Sequence, residues 1–423
     1  MELSSYFQPV DLKKIDARAN ENFTNMGCAM RIFHVGDVTN LTGDSPCNDL
    51  AEGTFPSLDG VSLAFVGIPV NSVTDNDSDT STDAPDEIRR YLYPLSLPSP
   101  NFDAVDLGNI VPGATLEDSL FAISEVIYKL LERNITVVIL GGGQHITFAN
   151  YKAYEILGRV VNIASVDALL DIGNDQRPLD DHNWISHIVA QMPNYLFNFA
   201  NIGYQTYFNG DLANLMDQLG FDAYRLGAIQ ADMVRAETLV RGADMLSVDI
   251  NAVRLSDAPG QSQGSPHGFY GEELCRIARF AGLSDKLSSI GFYNYNPLYD
   301  RRGQTAHMIA HAIWYFVEGF YNRAADFPYR DKQNYKHYTV VCDWDTLHND
   351  ATDDDSPRQG MEISFYKSKK SDRWWMEVPY QGEKREAYQP HLLIPCTYAD
   401  YQQAQENILP DLWHKHYQRL NSI

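Results

Sequence analysis

Residues 136–157 read TVVILGGGQHITFANYKAYEIL. Four aliphatic residues follow Thr136 without a polar interruption, as in a strand covered on both faces. Gly141, Gly142 and Gly143 then permit a tight turn, and from Ile146 onward apolar residues recur at three- and four-residue steps, the period of a helix. A strand buried on both faces and followed at once by a helix is the building unit of a parallel α/β sheet.

The same texture recurs on either side. Strands are expected at 62–70, 104–108, 136–140, 160–166, 197–204, 223–227, 245–249 and 287–293, and helices at 86–95, 116–133, 146–157, 184–191, 271–281 and 305–320. The expectation is one mainly parallel eight-stranded sheet, open or closed, over residues 61–325. Residues 1–60 read as an N-terminal extension with one short helix. Residues 326–423 read as a β-rich extension packed on the main domain, with strands at 338–342, 361–366, 374–378 and 392–394 and a helical segment at 398–420. The segment 71–83, rich in Asn, Asp, Ser and Thr, follows a strand end and suits a substrate lid. The acidic run 350–355 reads as a solvated loop.

Composition narrows the partners. Acidic residues outnumber basic ones, 56 to 33, for a net charge of −23, which repels phosphate backbones and anionic membrane surfaces. No apolar run approaches the roughly 20 residues of a membrane helix. No secretory h-region stands in the first thirty residues, so a cytoplasmic protein is expected. The five cysteines are scattered without a CxxC pair, which fits unpaired thiols in a reducing compartment.

In parallel sheets, functional groups gather where strands end. The third strand delivers His145, the fourth Asp167 and Asp171, and the seventh Asp249 and Asn251, with Asp257 and Pro259 beyond. Singly, each has a plain explanation in a turn or a helix cap. Together, three carboxylates and an imidazole suit a divalent ion such as Mn²⁺. Without a cation the carboxylates would repel one another and hold protons more tightly.

In order along the chain stand VDLG (105–108), GGGQH (141–145), DALLD (167–171), SVDIN (247–251) and NYNP (294–297). The last four motifs resemble GGDH, DAHxD, SxDxD and EVNP of the arginase, agmatinase and formiminoglutamase family of ureohydrolases. The resemblance covers roughly residues 60–320. It implies a three-layer α/β fold, metal-dependent hydrolysis of guanidino or formimino C–N bonds, and a trimeric or hexameric assembly.

Carried over residue by residue, the family's first metal falls on His145, Asp167, Asp171 and Asp249, and all four ligands are present. The second metal also needs the histidine of DAHxD and the last aspartate of SxDxD, which here are Leu169 and Asn251. The substrate-facing glutamate of EVNP is Asn294, which removes the charged partner of a bidentate pair. His182 falls near the family's proton-shuttling histidine, and Asp249 and His182 are the catalytic candidates. Deacetylases of the same fold work with one metal but keep the site that depends on the histidine now replaced by Leu169.

The resemblance therefore implies one bound Mn²⁺, with hydrolysis weakened or lost and a binding, regulatory or assembly role in its place. The alternative is a formimidoylglutamase-like hydrolase using a single ion. A small-molecule ligand and a homo-oligomer are the expected partners. His187 follows Asp171 and is a further candidate near the site. His307 and His311 are spaced as metal ligands on a helix face but lack a third ligand in the sequence. Trp344, Trp374 and Trp375 suit a packed strand or subunit contact more readily than a stacking surface.

Overall fold

The computed structural model describes residues 2–15, 24–36, 51–69, 83–328, 332–343, 360–380, 382 and 388–421. The expected lid at 71–83 (save Asp83), the acidic run 350–355, Trp344 and Cys47 lie outside them.

Among the described residues, sixteen strands follow one another along the chain. The N-terminal segment supplies β1 (Phe7–Gln8), β2 (Val10–Asp11), β3 (Arg31–Ile32) and β4 (His34–Val35). Then come β5 (Leu63–Gly67), β6 (Ala104–Ile110), β7 (Thr136–Leu140), β8 (Val161–Val166), β9 (Leu196–Tyr204), β10 (Asp222–Arg225), β11 (Met245–Asp249) and β12 (Ser289–Tyr293). These last eight are the expected strands, within a few residues at each end. They form an open sheet in the order β1-β6-β5-β7-β12-β11-β8-β9-β10, with β3 also paired to β6. Every pairing is parallel except β1 with β6.

Among the described residues the sheet thus has ten strands rather than eight, because the N-terminal segment is part of it. Left alone, β6 would expose a row of unpaired backbone groups, and β1 and β3 satisfy them. The one short helix expected there is Met26–Ala29.

Helices cover both faces. Ala84–Leu92, Met233–Gly242, Gly271–Gly282 and Gln304–Tyr321 share one core, and Leu116–Glu132, Ile146–Ile156 and Trp184–Val189 share the other. Strand β7 shows why its sequence carries no alternation. Val138 and Leu140 enter the first core while Val137 and Ile139 enter the second, so both faces are dry.

The C-terminal region forms a separate antiparallel sheet of β13 (Tyr335–Asp343), β14 (Gly360–Ser368), β15 (Trp374–Glu377) and β16 (Leu393–Cys396). The expected single helical segment 398–420 is two helices, Tyr398–Gln405 and Asp411–Asn421. Asn407 adopts a left-handed φ of 62° and Pro410 cannot continue a helix, so the chain turns between them. Trp374 and Trp375 are buried, packed as strand residues rather than laid open as a stacking platform.

This layer docks where the main-sheet strands begin. His391 Nε2 lies 3.2 Å from the carbonyl of Val160, just before β8. Arg419 donates to the carbonyl of Gly220, just before β10, and Phe197, near the start of β9, packs against His391 and His416. Among the described residues, no helix is long and apolar enough to cross a membrane.

Candidate functional site

The strand order decides what meets at the other end. β7, β12, β11 and β8 are consecutive neighbours, so the segments carrying His145, Asn294, Asp249 and Asp167 leave the sheet side by side. Their register is level. Leu140 pairs with Phe292, Tyr293 with Asp249, and Val248 with Val166. The four motifs thus form one edge of the sheet.

Backbone geometry at this edge is specialised. Gly141 and Gly142 turn at φ of 81° and 82°, a region costly for other residues. A Cβ on Gly143 would lie 2.6 Å from His145 Nδ1 and 2.7 Å from Asp181 Oδ1, so only glycine fits there. Asp171 and Asn294 sit at φ of 51° and 62°, conformations that Asp and Asn tolerate better than most residues.

His145 is fully buried. Its backbone N–H donates to Asp181 Oδ1 at 2.9 Å and its Nδ1 lies 2.8 Å from the same oxygen, while Nε2 has no hydrogen-bond partner among the described residues. Asp167 accepts from the Leu169 N–H at 2.8 Å through Oδ1, and its buried Oδ2 is also unpartnered. Asp171 accepts from the Trp184 indole at 2.8 Å, with His182 Nδ1 at 3.8 Å from its other oxygen. Asp249 accepts from the Asn251 N–H at 2.8 Å. The Asn251 Oδ1 is buried and has no hydrogen-bond partner among the described residues.

Burial, then the charge of Asp171, holds the Asp167 carboxyl well above the usual carboxylate range. Burial likewise raises Asp249, with the charge of Asp167 adding to it. Asp171 is pushed up to about 8, again mainly by burial, and the charge of Asp249 contributes. The three carboxylates are therefore electrostatic neighbours, buried beyond the reach of bulk water.

Among the described residues, no three His, Cys, Asp or Glu side chains are drawn together closely enough to hold an ion as they stand. Nonetheless, the orphaned atoms have the right chemistry for one. His145 Nε2 and Asp167 Oδ2 are lone-pair donors in a dry site, each costing about 1–3 kcal/mol if left unpaired. The donor set of carboxylate oxygens and one imidazole suits Mn²⁺.

The Asn294 side chain turns inward. Its Oδ1 accepts from the Gln144 backbone N–H at 3.1 Å, and the backbone N–H of Asn294 donates to the Gly142 carbonyl at 2.8 Å. It therefore ties the end of β12 to the glycine turn. His182 stands at the mouth, its side chain 42 % exposed, with Gln263 Nε2 at 3.1 Å from its Nε2. His187 points elsewhere, with Nε2 at 3.1 Å from the carbonyl of Arg177. His307 stacks on Tyr91 with centroids 5.0 Å apart and lies beside the exposed His311, with no third ligand gathered around the pair.

Sequence reasoning missed Asp181, Trp184, Gln144 and Gln263. Asp181 left a trace as one of two adjacent acids before His182, and Gln144 as the residue before His145 in the GGGQH motif; Trp184 and Gln263 act through contacts that no spacing rule encodes.

The profile of the arginase family matches residues 61–318, well over half of the chain. The chain belongs to the arginase family. Curated relatives include the formimidoylglutamase of Enterobacter sp. (strain 638), 23 % identical over 283 residues, or 62 % of this chain and 87 % of the relative. That of Staphylococcus haemolyticus is 24 % identical over 280 residues, 61 % and 86 % of the two chains. Among solved structures, Bacillus subtilis formimidoylglutamase superposes with a TM-score of 0.58 at 19 % identity, covering 64 % of this chain and 91 % of that one. Trypanosoma cruzi formiminoglutamase, solved with Mn²⁺, gives 0.58 at 18 % identity over 64 % and 97 %. The arginase-like fold is shared with both. Within this arginase-family chain, Leu169 and Asn251 stand beside the carboxylates of Asp167 and Asp249, and the β13–β16 layer lies beyond the matched region.

Proposed function

We propose that this arginase-family protein binds one divalent cation, Mn²⁺ foremost, through His145, Asp167, Asp171 and Asp249. Hydrolysis of guanidino or formimino C–N bonds is weakened or lost, and recognition of a small molecule takes its place. The observation that carries this reading is Leu169. It lies between Asp167 and Asp171, where the family pattern has a histidine, and it offers only a backbone N–H to Asp167. A bound divalent ion supplies charge and lowers the pKa of a coordinated water, an effect two ions strengthen. The residues of the chain do the rest. Trp184 orients Asp171, Asp181 orients His145, and Asn294 fixes the glycine turn rather than presenting a charge.

A second reading, an active hydrolase with one ion, is favoured by His182. It stands half-exposed beside Asp171 at the mouth, where a group that moves protons is needed. The cysteines Cys275, Cys342 and Cys396, buried and joined by no disulfide among the described residues, agree with a cytoplasmic location. We also infer a homo-oligomer, which light scattering of the purified chain would test.

The deciding experiment is metal per chain after saturation with Mn²⁺ and removal of excess. One ion, lost in Asp171→Ala, supports the proposal; two or none overturns it. Release of urea, ammonia or formamide from candidate substrates then separates the two readings, and turnover unchanged in Asp249→Ala removes the enzyme.

A further inference from the structure

Beneath the carboxylates lies a buried polar cluster that an apolar core would not need. Ser165 on β8 and Ser247 on β11 are register partners. Each stands two residues before a site aspartate, Asp167 and Asp249 respectively, so each shares its aspartate's face. The carboxamide of Gln144 reaches both, donating to Ser165 Oγ at 3.2 Å and Ser247 Oγ at 3.3 Å. Thr147 Oγ1 lies 2.8 Å from Ser247 Oγ and closes the cluster. The backbone N–H of Gln144 donates to Asn294 at the end of β12. One residue in the turn after β7 is therefore bonded to the ends of the other three strands.

Gln144, Thr147 and Ser165 are fully buried and Ser247 nearly so. Their hydrogen bonds exchange for bonds to water at small net gain, so burying them does little for stability beyond what apolar residues of equal volume would give. What directed bonds add is geometry. The strand separation at the Ser165–Ser247 pair sets the separation of the carboxylates two residues on. Gly291, the other register partner of Ser247, carries no side chain of its own, and the ring of Tyr293 fills the space beside it.

We infer that Gln144 is the positioning residue of the cation site: through Ser165 and Ser247 it sets the spacing of Asp167 and Asp249. This rests on the cation reading above. It acts on the ligands and does not touch the ion.

The test pairs Mn²⁺ affinity, measured by calorimetry, with thermal stability and a crystal structure. Gln144→Met keeps the volume and removes both donors. It is expected to weaken Mn²⁺ binding about 10- to 100-fold, the usual effect of losing a group that orients a ligand. Ser165→Ala and Ser247→Ala each remove one arm and are expected to show smaller losses. Arg241→Ala, destabilised at the far end of the sheet, controls for stability alone and should bind Mn²⁺ like the parent. Affinity unchanged in Gln144→Met, or weakened equally in Arg241→Ala, overturns the inference. If the parent chain takes up no ion, the cation reading fails by itself, and the crystal structure of Gln144→Met decides the present point. Asp167 and Asp249 displaced relative to each other support it, and carboxylates left in place refute it.

Discussion

Replacing Arg241 by alanine should detach the C-terminal sheet energetically. Arg241 lies on the helix Met233–Gly242 and is 3 % exposed. Its guanidinium donates to the Trp374 carbonyl at 3.0 Å and the Cys396 carbonyl at 3.2 Å, a register pair joining β15 to β16. It also lies 4.6 Å over the Trp375 ring and pairs with Glu237 at 2.8 Å. Each charge-assisted bond contributes about 1.5–3 kcal/mol, and the desolvated cation–π contact about 2 kcal/mol. Truncation also leaves two buried carbonyls without their cation, and Glu237 with Arg373, 3.4 Å away, as its remaining partner. Because such terms are not additive, the expected loss is about 3–5 kcal/mol, the range for breaking a buried pair. Urea unfolding followed by tryptophan emission reads it directly, since Trp374, Trp375 and Trp413 all lie in this layer. A loss below about 1 kcal/mol would show that the guanidinium is not what joins the two parts.

Acid should loosen the same junction. Burial holds His416 down to about 3 and His391 well below 6.5, with Lys286 close to His391 and Arg419 and Asp222 in the same cluster. The folded values lie below the unfolded ones, so the unfolded chain takes up protons first as pH falls through about 6.5, and stability drops by up to about 1.4 kcal/mol per unit for each histidine. Urea midpoints from pH 7 to pH 5 should fall less steeply in His416→Gln; an unchanged slope would mean that His416 takes up its proton equally in the folded and the unfolded chain. At the opposite margin of the sheet, Asp106→Ala strips the fully buried Arg89 of the carboxylate 2.8 Å away and should cost about 3–5 kcal/mol in the same assay. Trp184→Phe removes the indole N–H from Asp171 and should weaken Mn²⁺ about ten-fold by calorimetry. On the proposed single-ion reading, Leu169→His with Asn251→Asp supplies the two donors of the family pattern, so metal content should rise from one ion per chain to two; a content unchanged by the pair would show that these two positions do not set it.

The sequence reveals the main sheet wherever a strand is buried on both faces, because an unbroken aliphatic run such as 136–140 has few other uses. It is silent on β1 and β3, two residues each, whose strand identity comes wholly from the edge of β6. The helices Leu212–Gln218, Leu226–Ala231 and Met233–Gly242 escaped notice for a related reason. They are short, interrupted by Gly220 and Gly227, and stabilised by packing rather than by a long apolar stripe. At the site, residue types at strand ends singled out His145, Asp167, Asp171 and Asp249. The Asp181 contact to His145 depends on a loop folding back across the glycine turn, and no local pattern announces it. Asn294, the expected substrate-facing residue, has a left-handed backbone and accepts from the Gln144 N–H through its side-chain oxygen, a contact that its place after a strand does not announce.

The docking of β13–β16 on the strand beginnings has a practical side. A sensor surface or fluorophore coupled through the helix Asp411–Asn421, which reaches Asp217 and Gly220, would grip the molecule by its base. The mouth lined by His182 and Gln263 would then face the solution, so captured protein should be screened for small-molecule binding in that orientation, with no linker shadowing the entrance.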